Sequence, residues 1–387
     1  MAVYKIFPLQ DTTIYSYYPF MNTGIDAILE VGNLNPDVNP EPQVSRFLVK
    51  FDQNEIESVI DNKVGGTQFS SSLKAYIANA QGVDHNSCLE IYPISGSWRN
   101  GTGAYLDSPI TTNGCSWRSR LYSGSGGQEW NMDPATFANY VTASFSGSVN
   151  EGGANWFTGS DDPNNSNIEV SQCFTLRSTK DLNAPVTDIV KVWYSSSNSI
   201  GGFTNIANEG FLVKWADQIE FNTSSAEQPL MQFYSVDTNT IYPPVLEIKW
   251  DDQSFETGEL PEIATTDLFV ALDSNPGIFY SESINRFRLN VRPDFPARLF
   301  LTRSIDTQNH YLNSSSLYCV KDLDTNETII DFDSEFTKIS CDEQSNYFDI
   351  YMNGLQPERY YKILIQTTIS GSTIVLDDDY YFKVINK

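Results

Sequence analysis

Short runs of alternating apolar and polar residues dominate the chain. The stretch Asn208–Asp252 ends in Pro243–Trp250, where Leu246, Ile248 and Trp250 fall on one side. A period of two marks a half-buried strand. The stretch predicts two or three short strands joined by polar turns. It holds no His, no Cys and no pair of carboxylates set for acid–base work, so its chemistry reads as packing. The same reading predicts strands at Tyr4–Phe7, Thr12–Tyr17, Ile28–Val31, Phe47–Phe51, Leu73–Ala78, Cys88–Ile94, Val170–Arg177 and Asp188–Trp193. Further along it predicts strands at Phe287–Val291, Tyr347–Tyr351, Tyr361–Ile365 and Tyr380–Val384. Helical spacing is confined to Asn54–Asp61 and Asp133–Tyr140, the second opening on Asp-Pro, a cap followed by a first helical position. Between Ser95 and Gly127 the chain is rich in Gly, Ser, Asn and Thr around Trp98 and Trp117. So long an irregular stretch in a compact domain reads as a packed functional loop.

Composition supports strands over helices. Aromatic residues make up 13% of the chain and charged residues only 19%, with 23 Gly and 18 Pro for turns. The fold class expected is all-β. All seven tryptophans precede residue 251, which implies two cores with different packing. Between them runs the acidic, Pro-containing stretch DDQSFETGELPEIATT. The expected organisation is a jelly-roll or β-sandwich over 1–252, an acidic linker over 253–265 and an immunoglobulin-like sandwich over 266–387. In the last of these, Leu355-Gln-Pro357-Glu-Arg-Tyr360 resembles the tyrosine corner of fibronectin type III domains, with Tyr360 as the corner residue.

Charge narrows the partners. The net charge of −25 lacks the basic footprint that nucleic acid or an anionic membrane surface requires. No apolar run approaches the roughly 18 residues of a membrane span. The start MAVYKIFPLQ lacks a basic region followed by an apolar core, so no export signal is expected. The five cysteines (88, 115, 173, 319 and 341) show no CxxC spacing and are expected to be reduced and buried. Whether Cys319 and Cys341 face each other is open.

Little points to catalysis. The two histidines, His85 and His310, have no partner at metal or triad spacing, and no hydrolase, phosphate-loop or dinucleotide motif occurs. The chain is expected not to be an enzyme. The acidic clusters Asp161-Asp162 and Asp377-Asp378-Asp379 offer oxygen ligands of the kind calcium prefers, but without the spacing of a calcium loop. The expected reading of both is a solvated turn, the second also guarding a strand edge. Trp98, Tyr105, Trp117, Tyr122, Trp130 and Trp156 crowd the irregular region. If exposed, they form a platform for a glycan or a protein partner; if buried, they pin the loops to the sandwich.

The first part of the chain resembles the disaggregatase-related (DNRLRE) jelly-roll family, which is carbohydrate-binding-module-like. The resemblance rests on Asp11-Thr-Thr-Ile-Tyr15, Asn22-Thr-Gly24, Ser45–Phe51, Trp98 and Trp117 in their Gly-rich turns, and the closing Pro-Pro-x-Leu-Glu-Ile strand. The start of the chain and the block FYSVDTNTIYPPVLEIKWDD also look like virion structural proteins of contractile-tailed phages that infect cyanobacteria. That resemblance implies a particle component made in the host cytoplasm. It would dock on neck, collar, portal-proximal or tail subunits, with copies of itself in a cyclic ring. The alternatives are a glycan-binding adhesin that recognises the host surface and a capsid decoration protein.

Overall fold

The computed structural model describes residues 2–34, 43–83, 87–123, 126–130, 152–158, 168–197, 206–220, 222, 229–273, 275–296 and 308–386. The fold is all-β and divides into two compact units, Ile6–Glu247 and Ile248–Lys387, the latter joined by Met1–Lys5.

In chain order the strands up to Trp250 are β1 (Ala2–Ile6), β2 (Pro8–Tyr15), β3 (Ile28–Leu34), β4 (Gln43–Phe51), β5 (Ser70–Ala75), β6 (Ile77–Gln81) and β7 (Ser87–Pro93). They continue with β8 (Ser119–Ser123), β9 (Gly126–Glu129), β10 (Val170–Phe174), β11 (Leu182–Pro185), β12 (Phe211–Trp215), β13 (Leu230–Tyr234) and β14 (Val245–Trp250). The larger unit is a β-sandwich. Its main sheet has the order β10-β7-β12-β4-β3-β13-β6, with β2 also paired to β4, while β5 lies between β11 and β14 in a second sheet. The pleat gives the central strands two different faces. Phe47, Val49 and Phe51 of β4 share one face with Phe211 and Val213 of β12, following the register Leu212↔Leu48. Helix α2 (Thr187–Ser197) brings Trp193 onto Phe211 there, at 4.7 Å between ring centroids. Val44, Arg46 and Leu48 point the other way, with Leu212 and Lys214, and all five are buried.

Several sequence expectations change here. Asp188–Trp193 is not a strand but part of α2. Its β-branched residues suggested a strand, yet buried Val186, Ile189, Val190 and Trp193 recur at helical spacing. The closing strand β14 is buried on both faces rather than half-buried, because Glu247 is accommodated by an ion pair with Lys74 at 2.8 Å. Helix α1 (Gln53–Val59) forms where expected, capped by Asp52, whose carboxylate accepts the Asn54 N–H. Asp133–Tyr140 lies outside the described residues.

The cysteines differ too. Cys88 and Cys173 face each other in the antiparallel β7–β10 pair and form a disulfide, whereas Cys115, Cys319 and Cys341 are free and buried. Cys319 and Cys341 sit in different sheets.

The smaller unit has strands β15 (Leu268–Asp273), β16 (Ile278–Tyr280), β17 (Ile284–Pro293), β18 (Leu317–Asp322) and β19 (Thr328–Ile330). These are followed by β20 (Ser340–Cys341), β21 (Asn346–Tyr351), β22 (Arg359–Ile369) and β23 (Ser372–Ile385). One sheet runs β15-β17-β21-β20 and the other β16-β23-β22-β18-β19. The division of β15, β17, β21 and β20 into one sheet and of β18, β22 and β23 into the other is that of an immunoglobulin-like sandwich. Its core joins Phe287, Tyr318, Phe348, Tyr361 and Phe382. The corner residue is Tyr361, not Tyr360. Tyr361 is buried and donates its hydroxyl to the Gln356 carbonyl at 2.9 Å, while Tyr360 is 49% exposed. A shift of one residue exchanges the two faces of β22, so only Tyr361 can reach inward.

The boundary between units falls within β14, between Glu247 and Ile248. Residues 253–265, expected as a linker, lie along the smaller unit. Ser254 and Glu256 exchange backbone hydrogen bonds with Cys341, and Ile263 enters the core. Apolar residues within this largely polar stretch account for this: Ile263 is buried, and Phe255 rests edge-on against Tyr311.

Candidate functional site

The irregular region after β7 is held by side chains rather than by strands. Asn22, fully buried, is the hub. Its Nδ2 donates to the carbonyls of Asn100 and Cys115, and its Oδ1 accepts the N–H groups of Gly24 and Gly103. Thr23 fixes this hub to β2 through hydrogen bonds to the Thr13 N–H and carbonyl. Close approach is possible only because a Cβ is missing at Gly24, where it would stand 2.1 Å from the Asn100 oxygen. The Asn-Thr-Gly triplet is therefore a staple for the loop.

Below the loop, the face of β4 and β12 that carries charge is sealed. The Arg46 guanidinium makes a two-pronged ion pair with Glu220, at 2.6 and 2.9 Å, and gives its third group to the Gly153 carbonyl at 2.6 Å. Glu220 comes from the short helix α3 (Asp217–Glu220). Arg46 lies between two indoles, 4.9 Å from the Trp117 ring and 5.4 Å from Trp156. Lys214 completes the group, 3.1 Å from Glu90, 2.6 Å from Asp217 and 3.6 Å from Glu220. Burial would lower the Lys214 ammonium pKa, but Glu220, Glu90 and Asp217 outweigh it and Arg46, and the group is held above its usual value. Sequence reading of Asn208–Asp252 as packing alone missed Lys214 and Glu220. The signal was present at Arg46: it shares the alternating stripe of Val44 and Leu48, and a charge on a buried stripe requires a partner.

The four tryptophans serve this seal. Trp98, Trp117, Trp130 and Trp156 are 1–3% exposed and form one cluster with Ile14, Val44, Leu48 and Leu212. Trp98 donates to the Glu209 carbonyl and Trp130 to that of Ser116. Of the two readings open for the aromatic residues, these four follow the buried one: they pin the loops to the sandwich, and the ligand platform is corrected for them. Tyr105 is 47% exposed but rests on Tyr15 and Tyr18.

Tyr122 is placed differently. It lies half-buried on β8 and lines a cleft of about 650 Å³. Asn100–Thr102, Asn113–Gly114, residues of β8 and β9, and Gln10 of β2 also line it. Gln10 is fixed by a hydrogen bond to the Trp98 carbonyl.

The acidic clusters do not converge. Asp377 pairs with Lys362 at 2.7 Å, and Asp379 accepts the Tyr381 hydroxyl at 2.5 Å. Asp161 and Asp162 lie outside the described residues, as does His85. His310 bonds locally to the Gln308 carbonyl. Among the described residues no three His, Cys, Asp or Glu side chains gather as a metal site. No described helix is long and apolar enough to cross a membrane.

No family model and no curated protein matches the sequence. Among solved structures, a DUF4785 family protein from Legionella pneumophila aligns with the whole of this chain and with 62% of its own, at 8% identity and a TM-score of 0.17. The chain thus spans less than two thirds of that protein, and the likeness is too slight to assign a family.

Proposed function

We propose that this protein is a non-enzymatic structural component of a tailed-phage particle, an accessory of neck, collar or tail that docks in symmetric copies. The observation that supports this reading is how the larger unit uses its reactive side chains. Arg46, Lys214 and Glu220 are buried together under tryptophans, where they lock a loop to a sheet and are closed to substrate. That is the construction of a rigid bearing surface. The all-β build with two joined units fits a part that anchors by one unit and reaches a neighbour with the other. The net charge of −25 favours docking on basic or mixed patches, a contact weakened by salt.

Quantitative mass spectrometry of purified particles, combined with imaging, tests the proposal. A fixed small copy number at the neck or tail is the expected result, because cyclic symmetry fixes how many sites a ring provides. A copy number that follows the major capsid protein points instead to lattice decoration. Absence from particles defeats the proposal.

A further inference from the structure

The cleft beside Tyr122 has a composition unlike the rest of the molecule. The chain carries 49 Asp and Glu, yet none lines the cleft among the described residues. Its one charged lining residue is Arg99. The Arg99 side chain is exposed and makes no hydrogen bond or ion pair with any described residue. Arg118 and Arg120, by contrast, are engaged by Glu129 and by Ser97. The carboxylate next to the cleft on the hairpin, Glu129, is therefore already neutralised by Arg118.

The Tyr122 side chain is half-buried and lies close against the hairpin. Its cross-strand partner is Gly127, where a Cβ would stand 2.8 Å from the Tyr122 ring. The phenol and the Gln128 amide likewise have no hydrogen-bond partner among the described residues. The loop residues of the lining are held in place, since Asn113 and Thr102 bond to each other twice and Asn22 staples the same loop. The cavity volume is that of a small-molecule site, and beside Arg99 and Leu121 the lining is amides, a hydroxyl, glycines and one aromatic residue. Such a lining suits a ligand dense in hydroxyl groups. Among the described residues Arg99 pairs with no carboxylate, and its planar fork can hold a ligand carboxylate by two parallel hydrogen bonds.

We propose that this cleft binds an acidic saccharide, with Arg99 on the sugar carboxylate, Tyr122 against a ring face and Gln128 on hydroxyls. The assignment goes beyond the particle reading and does not depend on it: a virion component and a free protein could both carry this site. It also differs from the tryptophan platform, whose rings are buried.

The test uses the full chain on an array of uronic- and sialic-acid oligosaccharides printed beside their neutral counterparts. The expected result is retention of acidic sugars over neutral ones, with Arg99→Ala weakening binding about tenfold or more, the loss of a charge-assisted hydrogen-bond pair. Tyr122→Ala should also weaken it, whereas Arg177→Ala, which changes an exposed arginine outside the cleft lining, should leave it unchanged. Circular dichroism of each variant separates a lost contact from a lost fold, and Arg99, being exposed, can be replaced without opening the core. Equal retention of neutral and acidic sugars, retention untouched by Arg99→Ala, or no acidic sugar retained at all would each overturn the proposal.

Discussion

Asp11 is buried on β2, where its carboxylate accepts the Val236 N–H at 2.7 Å. Burial pushes its carboxyl up to about 7, and the nearby Asp237 adds to the rise. Glu30 is raised by burial as well. The folded chain therefore binds more protons than the unfolded chain between about pH 4 and pH 7. Stability from this group is complete below the unfolded value and is lost as the pH rises through about 7. The melting temperature of the larger unit should fall between pH 5 and pH 8. Asp11→Asn, which keeps an oxygen for the Val236 N–H, should flatten that slope; an unchanged slope in the variant would assign it to other groups. Asp342 in the smaller unit has the opposite sign. The two-pronged pair with Arg288, at 2.7 and 3.0 Å, holds its carboxyl at about 2, so its contribution is present above about pH 4 and lost as the pH falls through 2. The buried pair Arg46–Glu220 is a larger matter. Glu220→Ala leaves a buried guanidinium without its partner and should cost about 3–5 kcal/mol in denaturant unfolding. Replacing both residues by apolar ones of similar size should cost clearly less, because no orphan charge remains.

At the scale of elements, the corner at the start of β22 separates two neighbouring tyrosines. Tyr361→Phe removes the hydroxyl bonded to the Gln356 carbonyl and should lower stability by about 1 kcal/mol, whereas Tyr360→Phe should change little. Equal effects from the two would mean that the corner bond contributes nothing. The same pair shows what the sequence made legible. The Leu-x-Pro motif located the corner, but choosing between adjacent tyrosines required the register of a strand pair. Alternation found most strands, from β2 to β23, because period two survives in sequence. It failed at α2, where Ile189, Val190 and Val192 carry strand propensity but bury a helical stripe. It was silent on the site. Tyr122 and Trp117 look equally available in sequence, yet one lines a cleft and the other lies against Arg46. Trp117 is claimed by Arg46, which lies far back along the chain on β4, and no local pattern carries that contact.

For the molecule as a whole, two cores and one crosslink set the behaviour on unfolding. Denaturation in the presence of a thiol-alkylating reagent, without reductant, should label three cysteines, and prior reduction should raise the number to five. Five labels without reductant would show that Cys88 and Cys173 are not joined. The position of that bond reaches further. It links residues 85 apart in sequence, and the span between them contains the stapled loop, the β8–β9 hairpin and most of the cleft. A protease that cuts the backbone anywhere between Cys88 and Cys173 leaves both pieces covalently joined. A nicked chain should therefore migrate as one band until it is reduced and as two afterwards, so a cut within the span that carries most of the cleft releases neither piece.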